Sequence, residues 1–261
     1  MIAERINRER LVLLGWSRAI LMQIAHPLVA AGVIQHSSFR GGVFQAAARL
    51  HHTVSAMLSL TFGDDERRAS AIARIRTIHT MVNGTLAAGV GPFPAGTRYS
   101  AEDPALLLWV HATLLDSTAD IYQRLVAPLT ADELNLLCIE GAPLLHALGG
   151  DPATTPRSWQ ALQRYIRTVS ESGVLAVTPD ARALGAAVLT PRAAGLAVPL
   201  GGLHQLVTVG LLPAALRTQY GFEWSPARAR RFDRTVRVLR AIRRVTPGVA
   251  AHWRVARRAH G

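Results

Sequence analysis

Apolar residues in this chain recur at three- and four-residue spacing almost from end to end, and nowhere do they alternate with period two between turn signals. A segment patterned this way buries one face as a helix and cannot keep that face buried as a strand, which restricts the chain to helix-on-helix packing. The spacing predicts helices over 8–24, from Pro27 onward, and over 43–62, 65–83, 104–126, 157–172, 180–189, 200–211, 213–220 and 226–246. Another opens at 131 and runs toward the Gly149-Gly150 break. Helix-start residues agree: Asp64-Asp65, Asp103-Pro104 and Ser225-Pro226 are caps, and Thr130 with Glu133 has capping-box spacing. Asn83-Gly84 reads as a left-handed helix end, and the Gly- and Pro-rich residues 88–101 as an irregular crossing without strands. The expected fold class is therefore all-α, a single helical domain over 1–224. Residues 225–261 are expected to form a basic amphipathic C-terminal helix and tail packed on the same domain.

Ten histidines accompany one cysteine. Cys138 alone excludes a disulfide framework, a C-x-x-C zinc knuckle and a C-x-x-C-H covalent haem site. His26, His36, His79 and His111 all lie in apolar helical segments, with His51-His52 between them. A neutral imidazole in such a place is a metal or haem ligand, a general base, or a hydrogen-bonded core residue. On the 65–83 helix Ile72, Ile75, His79, Val82 and Leu86 form one stripe, so His79 is expected to point where the apolar residues point. One helix earlier, Arg49 and Thr53 are one turn apart, with His52 three residues after Arg49. An inward arginine there calls for an anion or polar ligand, while an outward one is a solvated face. His111, within Leu107–Leu115, is either a direct participant or a core residue orienting a neighbouring helix. His26 could bond a carbonyl freed by Pro27, and His36 with Ser37 and Ser38 could cap a helix end. Glu-x-x-His, H-E-x-x-H and G-x-S-x-G are missing, which argues against a di-iron bundle, a zincin peptidase and the common nucleophile elbow.

The net charge is +12 and every basic residue other than histidine is arginine. From Arg217 to the end twelve arginines stand against Glu223 and Asp233, so the surplus belongs to the tail. Within 225–246, Phe232, Val236, Leu239, Ile242 and Val245 fall near one face. Such a helix either packs that stripe on the core with its arginines solvated, or lies on anionic lipid through the arginines of 225–258. Nucleic acid is a poor partner here, because no helix-turn-helix spacing or aromatic interleaving accompanies the charge. The start, Met1 to Arg10, carries both signs of charge and no small-residue cleavage site follows. The apolar stretch 19–34 is broken by Gln23, His26 and Pro27 and is short for a membrane span. A cytoplasmic location is expected, with peripheral contact at the inner face of the membrane as the variant that the tail suggests.

Several segments together resemble the haem-dependent family that joins MpaB-type oxygenases and latex-clearing rubber oxygenases. They include Gln23-Ile24-Ala25-His26-Pro27-Leu28, His36-Ser37-x-Phe39, Arg49-x-x-x-Thr53, Phe62-Gly63-Asp64 and Arg76-x-x-His79-x-x-Val82-x-Gly84. Asp103-Pro104-x-Leu106-Leu107-x-Trp109-Val110-His111-Ala112-Thr113-Leu114, Asp116-Ser117, Val177-Thr178-Pro179 and Gly210-Leu211-Leu212-Pro213 extend the resemblance over about 15–225. It implies a globin-like helical core around a buried, non-covalent haem b, with His79 as the iron ligand. It also implies Arg49 and Thr53 as hydrogen-bond donors in the distal pocket, His52 or His36 as proton relay, and His26 and His111 as supporting residues around the cofactor. The implied activity is use of dioxygen to oxidise or cleave an alkene, of an isoprenoid or other lipid-like hydrophobic substrate. Two positions depart from the polymer-cleaving branch. His52 stands where that branch has a distal lysine, and Gln35 and His36 stand where it has a glutamate upstream. These departures keep a second expectation open: a non-catalytic helical protein of the same fold that binds a hydrophobic ligand or an anionic membrane surface.

Overall fold

The computed structural model describes residues 1–36, 54–189 and 201–258. Fourteen helical segments are named here in chain order: α1 (Ile2–Asn7), α2 (Leu13–Ile24), α3 (Pro27–His36), α4 (54–62), α5 (Asp65–Met81), α6 (Pro104–Leu125), α7 (Ala131–Ala147), α8 (Trp159–Glu171), α9 (Pro179–Leu189), α10 (Gly201–Leu211), α11 (Ala214–Tyr220), α12 (Pro226–Val245), α13 (Gly248–Ala251) and α14 (Arg254–Arg258). A 3₁₀ turn, Arg10–Val12, leads into α2, so the expected 8–24 helix is shorter and α1 precedes it. The chain is all-α apart from one feature the sequence pattern did not indicate. Strands β1 (Asn83–Thr85) and β2 (Arg98–Ser100) form a small antiparallel hairpin pairing Gly84 with Tyr99. Strands of three residues are too short to display alternation, which is why this stretch read as irregular.

The helix starts obey local chemistry. Asp64 accepts from Arg67 N at 2.9 Å, and Asp103 accepts from Ala105 N at 2.8 Å with Pro104 in the first turn. Thr130 and Glu133 close the capping box reciprocally, at 3.2 and 2.9 Å. Each satisfies N–H groups that a helix start otherwise leaves open, worth about 1 kcal/mol per cap.

The core is built around α2 and α6. Leu21, Met22 and Ile24 of α2 and Trp109 and Ala112 of α6 are almost fully buried, in one cluster with residues from α7 to α11. The two helices approach closely at Gly15, where a methyl would come within 2.7 Å of Ser117 O and 2.8 Å of Ile121 Cγ2. Between them runs a polar seam. Arg18 donates to Leu211 O at 2.8 Å and to Ser117 Oγ at 2.7 Å, and pairs with Asp116, whose other oxygen accepts from Gln163 Nε2 at 2.6 Å. This seam floors an open cleft of about 410 Å³ between α2, α6, α8 and the α10–α11 junction.

No single helix among the described residues is long and apolar enough to cross a membrane. The α2–α3 pair passes such a test by composition, but it is bent by 106° at Ala25-His26.

The long basic helix α12 packs by three of the five residues of its expected stripe. Phe232 is buried, and Val236 and Leu239 lie against the cluster formed with α1, α6, α7 and α10. Ile242 and Val245, expected on that same face, are 53% and 80% exposed. An α-helix advances about 100° per residue, so Ile242 lies roughly 80° and Val245 roughly 140° away from Phe232. Arg243 takes the inward position instead. Its guanidinium grips the buried Glu9 carboxylate with two bonds of 2.6 Å, and His252 meets the same carboxylate at 2.9 Å. Trp253 N then donates to Arg8 O at 3.1 Å, so the tail returns to the chain's first helix.

Candidate functional site

The α3 helix lies across the hairpin. Leu28 of α3, Leu86, Tyr99 of β2 and Leu106 of α6 bury one another, with Val29 and Phe93 at the edge. Gly84 makes this pairing fit: a methyl there would come within 2.6 Å of the Tyr99 hydroxyl. Gly84 is thus a cross-strand contact and not the expected left-handed helix end. Instead α5 stops at Met81, with Val82 as its final cap at φ −97°.

His79 lies in the last turn of α5. Within α5 the sequence stripe is the least exposed face: Ile72, Ile75 and His79 are half-buried beside the buried Ala71, and Val82 is a half-buried cap. Leu86, expected on the same stripe, lies beyond strand β1 and so is not on this helix. The flanking Ile78 and Met81 are 51% and 62% exposed, leaving an apolar edge beside the imidazole. Nδ1 of His79 is shut off from solvent and has no hydrogen-bond partner among the described residues. Burial holds the pKa of His79 below the ordinary histidine value, with the Glu102 carboxylate pulling the other way. The ring is therefore neutral at pH 7 and keeps a lone pair available.

His26, at the bend between α2 and α3, repeats the pattern. It is 7% exposed, its Nδ1 is buried without a partner, and its ring centroid lies 5.5 Å from that of Phe93. Burial pushes its pKa down to about 4 against the opposing pull of Asp103. An unmade hydrogen bond on a buried polar atom costs about 1–3 kcal/mol, so two such imidazoles bordering one hairpin call for an explanation.

At the far end of α3, His36 is exposed. Its Nε2 lies 2.9 Å from Asn83 O and 3.3 Å from the Tyr99 hydroxyl, which donates to Gln35 Oε1 at 2.6 Å. His36 thus ties α3 to the α5–β1 joint; Ser37 and Ser38, expected to cap that helix end with it, lie outside the described residues. His111 lies elsewhere. Its ring meets α7, where a methyl on Gly141 would come within 3.0 Å of Cε1, and burial, aided by His146, lowers its pKa to about 4. Arg49, His52 and Thr53 fall outside the described residues. The structure therefore sets His26 and His36 at the two ends of α3, His79 in the last turn of α5 just before the hairpin, and His111 apart against α7.

Among the described residues no three His, Cys, Asp or Glu side chains converge as a cage for a bare metal ion. A porphyrin-bound iron asks less of the protein, one axial side chain with a free lone pair, and the His79 imidazole meets that requirement. Cys138 is buried in α7 with its thiol pushed up to about 11, so it is no candidate for a thiolate ligand.

Three contributors escaped the sequence reading: Tyr99, Phe93 and the Arg18–Asp116 seam. Phe93 and Tyr99 sit in the Gly/Pro-rich stretch, which carries no periodicity. Arg18 did leave a signal, since it stands between Leu14 and Met22 at four-residue steps on the inward face of α2.

The family described as "ER-bound oxygenase mpaB/B'/Rubber oxygenase, catalytic domain" has a sequence model that matches residues 4–241. Two uncharacterized proteins, one of Mycobacterium bovis and one of Mycobacterium tuberculosis, are each 27% identical to the chain over 230 residues, covering 87% of the chain and 87% of the relative. No solved structure matches it.

Proposed function

This chain belongs to the family of mpaB/B' and rubber oxygenase catalytic domains, and from that premise we propose that it is a haem b-dependent oxygenase whose iron is held by His79. The observation that carries the proposal is the His79 imidazole itself: its Nδ1 is buried with no hydrogen-bond partner among the described residues, and burial lowers its pKa. Non-covalent attachment follows from the lone, buried Cys138.

Bound haem would supply one-electron and dioxygen chemistry that no side chain provides. The chain's own residues would do the rest. His79 would hold the iron through its imidazole lone pair, which its lowered pKa keeps free of a proton at neutral pH. Arg49 and Thr53, by resemblance, would offer hydrogen-bond donors to dioxygen. His52 or His36 would move a proton; His36 Nε2 is engaged with Asn83 O, which leaves Nδ1 for that task. Leu28, Leu86, Phe93 and Leu106 form an apolar wall beside His26 that would exclude water.

The substrate proposed is an apolar alkene, of an isoprenoid or other lipid-like chain, oxidised or cleaved by dioxygen. The absence of lysine from the chain, and Gln35 with His36 in place of a glutamate, argue for a small-molecule alkene over a polymer. The decisive experiment is an absorption spectrum of purified protein reconstituted with hemin, beside His79→Ala. A stoichiometric Soret band that shifts or disappears in the variant supports the proposal. No band in the parent protein overturns it and leaves a non-catalytic binding protein of the same fold. A band unchanged in the variant moves the ligand to His26 or His111.

A further inference from the structure

The outward side of α12 carries a second stripe, distinct from the one that packs on the core. Arg231, Arg234, Val238, Ile242 and Val245 follow one another at steps of three and four residues and are all exposed. Val238 is 51%, Ile242 53% and Val245 80% exposed, and Val249 on the following helix α13 is also exposed, at 65%. Arg230, Arg237 and Arg244 border the stripe and are exposed too, while Asp233 is the single acidic residue of α12. The inward face cannot exchange with this one, because Phe232 is buried and Arg243 is held by Glu9. The exposed aliphatic row is therefore a fixed feature of the surface.

We infer that this outward edge of α12 is a peripheral docking surface for an anionic lipid bilayer. Three aliphatic side chains in a row with arginines on the same stripe and beside it combine the two requirements of interfacial binding, apolar insertion and attraction to anionic headgroups. Arginine suits the place, since its apolar stem lies along the hydrocarbon boundary while the guanidinium stays at headgroup level. A second copy of the chain is a poor occupant, because two such basic faces repel one another. Nucleic acid would answer the charge but leave the aliphatic row without a partner, as no aromatic side chain stands in the stripe for bases to stack on. This inference is independent of haem.

The test uses the full chain as purified and vesicle co-sedimentation, without hemin. Vesicles of phosphatidylcholine alone are compared with vesicles containing roughly one third phosphatidylglycerol. The expected result is binding to the anionic vesicles only, weakened by salt. The triple variant Val238→Ser, Ile242→Ser, Val245→Ser should weaken it about tenfold or more. Arg231→Gln and Arg234→Gln should each weaken it roughly fivefold. Because these side chains are exposed, both sets should keep the parent's melting temperature, which separates lost docking from lost folding. Equal binding to neutral vesicles, no vesicle binding, or binding that the triple variant leaves intact would overturn the inference. Duplex DNA binding or dimerisation lost in these variants, without vesicle binding, would overturn it in favour of that partner.

Discussion

Arg18 Nη1 lies 2.6 Å from Asp116 Oδ2, with both side chains about nine-tenths buried. The pair joins α2 to α6, the two helices at the centre of the fold, and every charge it brings inside is answered by the other or by Ser117, Leu211 or Gln163. Breaking such a pair leaves an unpaired buried charge, whereas replacing both members together does not. Asp116→Ala and Arg18→Ala are each expected to lose about 3–5 kcal/mol in urea unfolding. Arg18→Met with Asp116→Leu should recover most of that loss. A double variant no better than the singles would show that the seam stabilises through its other hydrogen bonds.

Gly15 marks the other constraint on the same helix pair. Gly15→Ala puts a methyl 2.7 Å from Ser117 O, a backbone atom that cannot turn aside. The expected cost is about 1–3 kcal/mol, seen as a melting temperature several degrees lower. An unchanged melting temperature would mean that α2 can slide along α6 without loss.

His79 bears a cofactor prediction that separates ligation from folding. His79→Gly removes the imidazole and should abolish the histidine-ligated Soret position on hemin titration. Added free imidazole should restore it by filling the vacated place. His26→Ala and His111→Ala should keep that position, because His26 would line the site without ligating the iron and His111 lies apart against α7. Failure of imidazole to rescue, in a variant that still folds by circular dichroism, would count against His79 as the ligand.

Acid should destabilise the haem-free protein in a defined window. His26 and His111 have folded pKa values lowered to about 4 from an ordinary 6.5. A lowered histidine pKa means that the unfolded chain takes up the proton first, so stability is full above about pH 6.5 and falls as the pH drops toward 4. Each site contributes on the order of 3 kcal/mol over that span. Chemical denaturation at pH 7 and pH 5 checks the slope, and His111→Gln should flatten part of it.

The tail's attachment at Glu9 is open to the same kind of test. Arg243→Ala would leave the 2%-exposed Glu9 carboxylate with His252 as its remaining partner in that clasp. The expected outcome is a lower melting temperature and faster proteolysis after residue 245. Unchanged proteolysis would show that Phe232 and Leu239 hold α12 in place without the ion pair.

Much of this molecule follows from local chemistry that a sequence displays. Asp64, Asp103, Thr130 with Glu133 and Ser225 each start a helix where a capping side chain reaches the next free N–H groups, within three residues along the chain. The three- and four-residue recurrence of apolar side chains determined that the chain is all-α, and put His79 on the least exposed face of its helix. Family membership was legible too, since the succession of short motifs over about 15–225 points to the family whose model matches residues 4–241. What only the tertiary structure decided depends on partners distant in sequence. Arg18 meets Asp116 across 98 positions and Glu9 meets Arg243 across 234. No local rule foretells that an arginine will turn inward to answer a carboxylate arriving from the other end of the chain. The same holds for Tyr99, placed by a hairpin too short to show a period. A stripe drawn by spacing alone treated Phe232 and Val245 as neighbours. Thirteen residues of helical advance set them on different sides, one against the core and the other toward solvent.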